Sequence, residues 1–255
     1  MEKNLYCEML NWDTDFFGYR IAQVIGHRLD EHKLTNIADW CKTNKIDCIY
    51  FLAASNDGKT IKIAEDWGFH LVDIRMTFEY DIRSAHKSEG DISNHDYQVR
   101  KYRQTDIPFL ERIARHSYHD TRFYYDPCFS EDTCKKLYAT WIKLSCEGYA
   151  DQVLVAEHSG VPIGYISCHL NYSSSLGQIG LLGVDRQFRG QAIGKMLFLN
   201  SLKWFTEEGI DKIRVVTQGR NIAAQCFYEG CGFYTLQVQI WYHKWISGCG
   251  VKKWQ

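Results

Sequence analysis

At 255 residues, 45% hydrophobic and 15% aromatic, the chain has material for one large globular domain or two small ones. A formal net charge of −1, with no lysine/arginine run, gives nucleic acid no electrostatic footprint. The opening MEKNLYCEML has no long apolar core, and no apolar run reaches the roughly 18 residues of a membrane span. A secretory signal and a membrane partner are therefore not expected, and a cytoplasmic location is. The ten cysteines and ten histidines show no CxxC, HxxxH or HExxH spacing, so reduced thiols and no metal site are expected.

In chain order, Ile21 to Ile25 reads as a strand. Leu34, Ile37, Ala38 and Cys41 then mark one helix face. Cys48 to Ala53 is an apolar strand, Thr60 to Trp67 a short helix and His70 to Tyr80 a long strand. Polar, aperiodic residues from Ile82 to Tyr97 read as a linker. A helix follows near Ile107 to Arg115, then an aromatic loop, Tyr118 to Phe129 (YHDTRFYYDPCF). Ser130 is placed to cap a helix carrying Cys134, Leu137, Tyr138, Trp141 and Ile142, and Gly148 to stop it. Val153 to Glu157 and Ile163 to His169 flank a hairpin turn, HSGVP. A strand near Leu176 to Val184 runs into RGQAIG and a helix with Ile193, Met196, Leu197 and Trp204 on one side. The strand Ile213 to Thr217, the helix Ile222 to Glu229 and the strand Phe233 to Lys244 close the chain.

An internal echo divides this order. Ala64-Glu-Asp-Trp-Gly-Phe69 and Tyr228-Glu-Gly-Cys-Gly-Phe233 each follow a strand and short helix and lead into a long strand. The first copy has no glycine-rich loop and has Ala64 in place of Tyr228. It reads as a half-copy that kept the scaffold and lost the chemistry.

The second copy carries the chemistry. A strand feeding a glycine-rich loop at a helix start is an anion site, because unpaired amides and the positive dipole end point outward together. Such a site suits the pyrophosphate of coenzyme A, with close approach at Gly190 and Gly194 and further donors from Arg189, Gln191 and Lys195. The amides of the pantetheine arm can pair with the edge of a strand splayed from its neighbour. Leu181 to Val184, which include Leu182, Gly183 and Val184, supply that edge. Ala192 and Ile193 complete the loop. Asn221 either bonds pantetheine or simply caps its helix. Tyr228 is either an acid for the leaving thiolate or a core aromatic.

The pattern LxV-(x)4-RGxxIG followed by NxxAxxxYxxxGF resembles the Gcn5-related N-acetyltransferases, with Asn221, Ala224 and Tyr228 as its more specific half. The chain departs from that pattern at Ala192, where the family usually has glycine. LNWDTDFFG (Leu10 to Gly18), AASNDG with the following WGF, TRFYYDPCF, YATWI and VVTQGRNIAA together resemble the TDP-fucosamine acetyltransferase family. This resemblance implies an α/β (α+β) fold with two domains and a mixed, mostly antiparallel, splayed sheet. The expected bounds are a truncated acetyltransferase-like domain over 1–82, a linker over 83–97, a catalytic domain over 98–246 and a tail over 247–255.

It further implies acetyl-CoA as co-substrate, Tyr228 as general acid, and a dTDP-linked amino-6-deoxyhexose as acceptor, with a homodimer as an option. The aromatic loop, with Arg122, Tyr124 and Tyr125, then lies toward the nucleotide-sugar, unless it closes the domain interface. His119, Asp120, Asp126 and Asp185 are candidate bases or plain surface groups. Transfer to a peptide or antibiotic amine, and a silent acyl-CoA-binding module, are the competing function classes.

Overall fold

The computed structural model describes residues 6–83, 96–246 and 248. The first half holds β1 (Cys7–Met9), α1 (Asn11–Phe17), β2 (Ile21–Val24), α2 (Glu31–Thr43), β3 (Cys48–Ala54), α3 (Gly58–Asp66) and β4 (His70–Asp81). The second half opens with β5 (Tyr97–Lys101), α4 (Ile107–Arg115), α5 (Glu131–Leu144), β6 (Gln152–His158) and β7 (Val161–Asn171). β8 (Leu176–Val184), α6 (Ile193–Glu207), β9 (Lys212–Gln218), α7 (Ile222–Gly230) and β10 (Tyr234–Trp245) complete it. Of the expected linker, residues 84–95 lie outside the described residues, as does the expected tail apart from residue 248; Tyr97 belongs to β5.

Helix starts follow their side-chain caps. Asp30, Asp57, Ser130 and Asn221 each accept a backbone N–H three residues on, which satisfies a donor the helix leaves unpaired. Gly148, at φ +107°, turns the chain after α5. In α6 the buried residue of the last turn is Phe205 rather than Trp204, because the helix packs Ile193, Leu197, Ser201 and Phe205 inward at helical spacing. The expectation of uniformly reduced thiols fails at Cys128, which is disulfide-bonded, while Cys41, Cys48, Cys134, Cys146, Cys168, Cys226 and Cys231 are free.

Among the described residues, ten strands join one sheet in the order β1-β2-β3-β10-β4-β9-β8-β7-β6-β5. Pairing is antiparallel except at β2–β3 and β8–β9, so the sheet is mixed and mostly antiparallel. The two echoing strand–helix–strand units exchange their last strands. β4 pairs with β9 (Tyr80 opposite Ile213), β10 pairs with β3 (Tyr242 opposite Phe51), and β4 and β10 pair with each other between them.

One face packs α4 and α5 over Tyr50, Val153, Val155 and Tyr165, with Phe16 and Phe17 of α1 against the same core. The core on this face therefore draws residues from both halves. On the other face α6 and α7 cover a second cluster and α2 and α3 a third.

Between β8 and β9 the sheet opens. Their pairing stops at Ile179 opposite Val215, whereas β8 stays paired to β7 as far as Val184. β9 meanwhile continues along β4 to Gln218. Residues 180–184 thus present a strand edge to a wedge-shaped gap.

Candidate cofactor and acceptor site

The edge is built by glycines. A Cβ on Gly183 would lie 2.8 Å from the Tyr165 ring, and one on Gly180 would lie 2.5 Å from His169 Nε2. β7 therefore fills the space beside β8 with side chains that only glycine admits. An irregularity sits opposite Ser167, whose Oγ accepts the Leu181 N–H at 2.9 Å; such a bulge re-aims the strand. Leu182 and Val184 stand opposite Ile166 and Gly164.

Beyond Val184 the loop folds back on the strand end. Arg189 Nε donates to the Val184 carbonyl at 3.1 Å. Gly190 (φ +78°) has open space around it. Ala192 holds φ +60° as the residue that starts α6, in the left-handed region that favours glycine. Gln191 is engaged, with its Oε1 accepting from the Tyr97 hydroxyl and its NH2 donating to the Gln187 carbonyl at 3.2 Å. Ile193 is buried in the core. Gly194 serves packing, since a Cβ there would meet the Phe227 ring at 3.2 Å. Lys195 is exposed.

A cavity of about 430 Å³ opens at this end, lined by Arg112, His116, His119, Val184, Arg186 and Arg189 among others. Asp185 is the acid in this lining, 3.9 Å from Arg112. Its guanidinium groups suit a polyanion.

Asn221 Oδ1 caps α7 by accepting the Ala224 N–H at 3.1 Å, and its NH2 has no intramolecular partner among the described residues. Tyr228 is buried against Phe78, Phe227 and Phe233. Burial pushes its hydroxyl well above the ordinary tyrosine value, so it stays protonated. The Tyr118 hydroxyl, also buried, lies 3.1 Å from that of Tyr165. Core aromatic and proton carrier are therefore compatible roles for Tyr228.

The aromatic loop goes elsewhere. The Arg122 guanidinium stacks on Tyr50, Phe123 and Trp241 at 4.1 to 4.6 Å from the ring centroids. Tyr125 carries the Arg220 guanidinium at 3.6 Å. Tyr124 packs against the shared core and His119. Asp126, named among possible surface bases, is wholly buried; it binds His243 Nδ1 at 2.7 Å and accepts from Trp245 Nε1 and the Cys128 N–H. The loop packs on β3 of the first half and on β10 of the second, the interface role left open above. The donor atoms of Asp126 in the loop, Cys48 of β3 and His243 of β10 lie within 4.8 Å of one another, but Arg122 faces His243 Nε2 at 3.5 Å. A cation already occupies that side.

A larger cavity, about 660 Å³, lies on the other side of the β8 bulge. Trp12 and Asp13 of α1, Trp141, Leu144, Ser145, Tyr149, His169, Gln178, Gly180 and Leu181 line it. Burial pulls the His169 imidazole below its ordinary value, with Asp151 opposing. Reading the sequence missed His169 and Asp13. Pairing of His169 with Gln178, beside a glycine that makes room for a ring, shows only once the register of β7 on β8 is known.

Residues 111–233 match the model of the acetyltransferase (GNAT) family. The spore coat polysaccharide biosynthesis protein SpsD of Bacillus subtilis is 29% identical over 143 residues, 55% of this chain and 48% of that protein. N-alpha-acetyltransferase 30 of Saccharomyces cerevisiae is 33% identical over 86 residues, 32% and 49% respectively. The chain thus spans about half the length of these curated relatives. Among solved structures, a GCN5-related N-acetyltransferase from Sphaerobacter thermophilus superposes with a TM-score of 0.67 over 94% of this chain and 76% of its own, at 12% identity. A tandem GNAT protein from the clavulanic acid biosynthesis pathway gives 0.63 over 89% and 76%, at 14% identity. These structures share the fold, and no described helix is long and apolar enough to cross a membrane.

Proposed function

We propose that this chain, whose residues 111–233 match the model of the acetyltransferase (GNAT) family, moves acetyl from acetyl-CoA to the amino group of a dTDP-linked amino-6-deoxyhexose in surface polysaccharide synthesis. The wedge between β8 and β9 carries the reading, because it offers a free strand edge leading from a cationic cavity to a bulge beside a second cavity. Arg189 and the loop amides of 190–192 hold the pyrophosphate, with Arg112 and Arg186 adding charge; residues 182–184 and the Asn221 NH2 hold the pantetheine amides.

Acetyl-CoA supplies an activated thioester. His169, held neutral by burial, accepts the proton the attacking amine must shed. Tyr228, held protonated, donates to the departing thiolate. The name of SpsD supports a polysaccharide context, as does the resemblance to the fucosamine enzymes. Transfer to a peptide amine is the second reading, favoured by the match to N-alpha-acetyltransferase 30.

Turnover of acetyl-CoA with dTDP- and UDP-amino sugars and N-terminal peptides, with Tyr228→Phe as control, tests the assignment. Acetylation of a dTDP-amino sugar, lost in the variant, is expected. Peptides acetylated while every sugar is refused would overturn it.

A further inference from the structure

The motif Leu10 to Gly18 has no part in the cofactor machinery, yet its helix α1 borders the larger cavity. Trp12 and Asp13 project from α1 into the space faced by His169, Gly180 and Leu181. Trp12 meets Trp141 of α5 with ring centroids 6.0 Å apart, so two indoles form one corner. Asp13 is the one formally charged side chain in the lining, because burial keeps His169 neutral. Among the described residues no other side chain lies within hydrogen-bond or ion-pair distance of the Asp13 carboxylate. Burial raises its pKa, and the field of Arg122 opposes. A half-buried carboxylate without a side-chain partner gains from any cation that reaches it.

The two cavities are opposite in charge. Arginines line the one at Val184 to Arg189, and a lone acid beside aromatic rings lines the one at Gly180 and Leu181. Three residue steps along β8, from Leu181 to Val184, separate them by roughly 10 Å, so a long polyanionic ligand anchored at the first would end near the second. Its carboxylate and indoles favour a ligand with a primary amine and an apolar face. Its volume lies within the usual range for small-molecule sites.

We propose that this cavity is the acceptor pocket, and that α1, from the half without a cofactor loop, supplies its amine-recognising wall. Asp13 accepts an N–H from the ammonium on arrival and from the neutral amine after deprotonation, while Trp12 and Trp141 cover the deoxy face of the sugar. This rests on the nucleotide-sugar reading for the identity of the ligand, but not for the role of Asp13.

The test is steady-state kinetics of the full chain with dTDP-linked 3-amino- and 4-amino-6-deoxyhexoses and, in parallel, glucosamine and an N-terminal peptide. Asp13→Asn is expected to raise KM for the amine at least tenfold and to leave KM for acetyl-CoA within twofold. In a fluorescence titration of Trp12 and Trp141, wild type should bind the amino sugar at least tenfold tighter than its N-acetylated product. Asp13→Asn should bind both alike, with an unchanged melting temperature as the folding control. If the sugar is acetylated and Asp13→Asn leaves its KM unchanged, the pocket assignment falls and the sugar reading stands. If only the peptide or glucosamine is acetylated, and Asp13→Asn raises its KM, the sugar reading falls and the pocket stands. No turnover of any amine by wild type overturns both.

Discussion

Ala192 holds φ +60° at the start of α6, a conformation that costs a non-glycine residue roughly 1–2 kcal/mol. Glycine there would remove the strain but add about 0.4–1 kcal/mol of unfolded-chain entropy. Ala192→Gly is therefore expected to gain only about 0.5–1 kcal/mol, read as a small rise in melting temperature. Two titrating residues have larger, kinetic effects. Tyr228→Phe keeps the ring that packs on Phe78 and Phe233 and removes only the proton donor, so kcat should fall about 10²-fold or more with little change in stability. His169→Gln should also lower kcat, and it should erase the acid limb of the rate–pH profile. That limb lies below the ordinary histidine range because burial lowers the His169 pKa; retention of the limb would remove His169 as the base. That Asn221 starts α7 and that Tyr228 lies within it was legible from the sequence. Their partners were not, because Phe78 comes from β4 in the other half and His169 is defined by register.

Among elements, β8 depends on its glycines. Gly180→Ala puts a methyl 2.5 Å from His169 Nε2 and 2.9 Å from Ser167 Oγ, and should cost about 1–3 kcal/mol while displacing the imidazole. β4 is tied across the sheet by Glu79, which is buried and bonded to Lys212, Arg214 and the Tyr234 hydroxyl. Burial alone would raise the Glu79 carboxyl, but these three partners bring it down to about 2. Its contribution is full above about 4.5 and fades as pH falls toward 2. Most elements could be read from periodicity and caps, including α5 from Ser130 to its stop at Gly148. The short helix α1 was not read, since NWDTDFF buries none of its residues fully and shows no apolar stripe. Nor was the exchange of β4 and β10, because alternation marks a strand's faces and says nothing of its neighbours.

For the whole molecule, the shared core under α4 and α5 and the exchanged strands predict one unfolding transition. Residues 96–255 expressed alone would leave β9 and β10 without β4, and are expected to remain unfolded or aggregate. Two separate transitions in calorimetry would contradict this. Acid should reach the same interface. Burial lowers the pKa of His243 from its ordinary 6.5 to about 4, with the Asp126 hydrogen bond opposing. Between those values the unfolded chain binds the extra proton, so stability is full above about 6.5 and declines as pH falls toward about 4. Urea unfolding across that window should show the decline in wild type and a flatter profile in His243→Gln.

The exchanged strands also set a timetable for biosynthesis. Bonded partners such as Ser55 and Val238 lie 183 residues apart, so β3 and β4 leave the ribosome long before the strand that belongs between them. Folding half by half during translation, the common habit of paired domains, is closed to this chain. Its amino-terminal part must wait, with strand edges uncovered, until the last tenth of the polypeptide arrives.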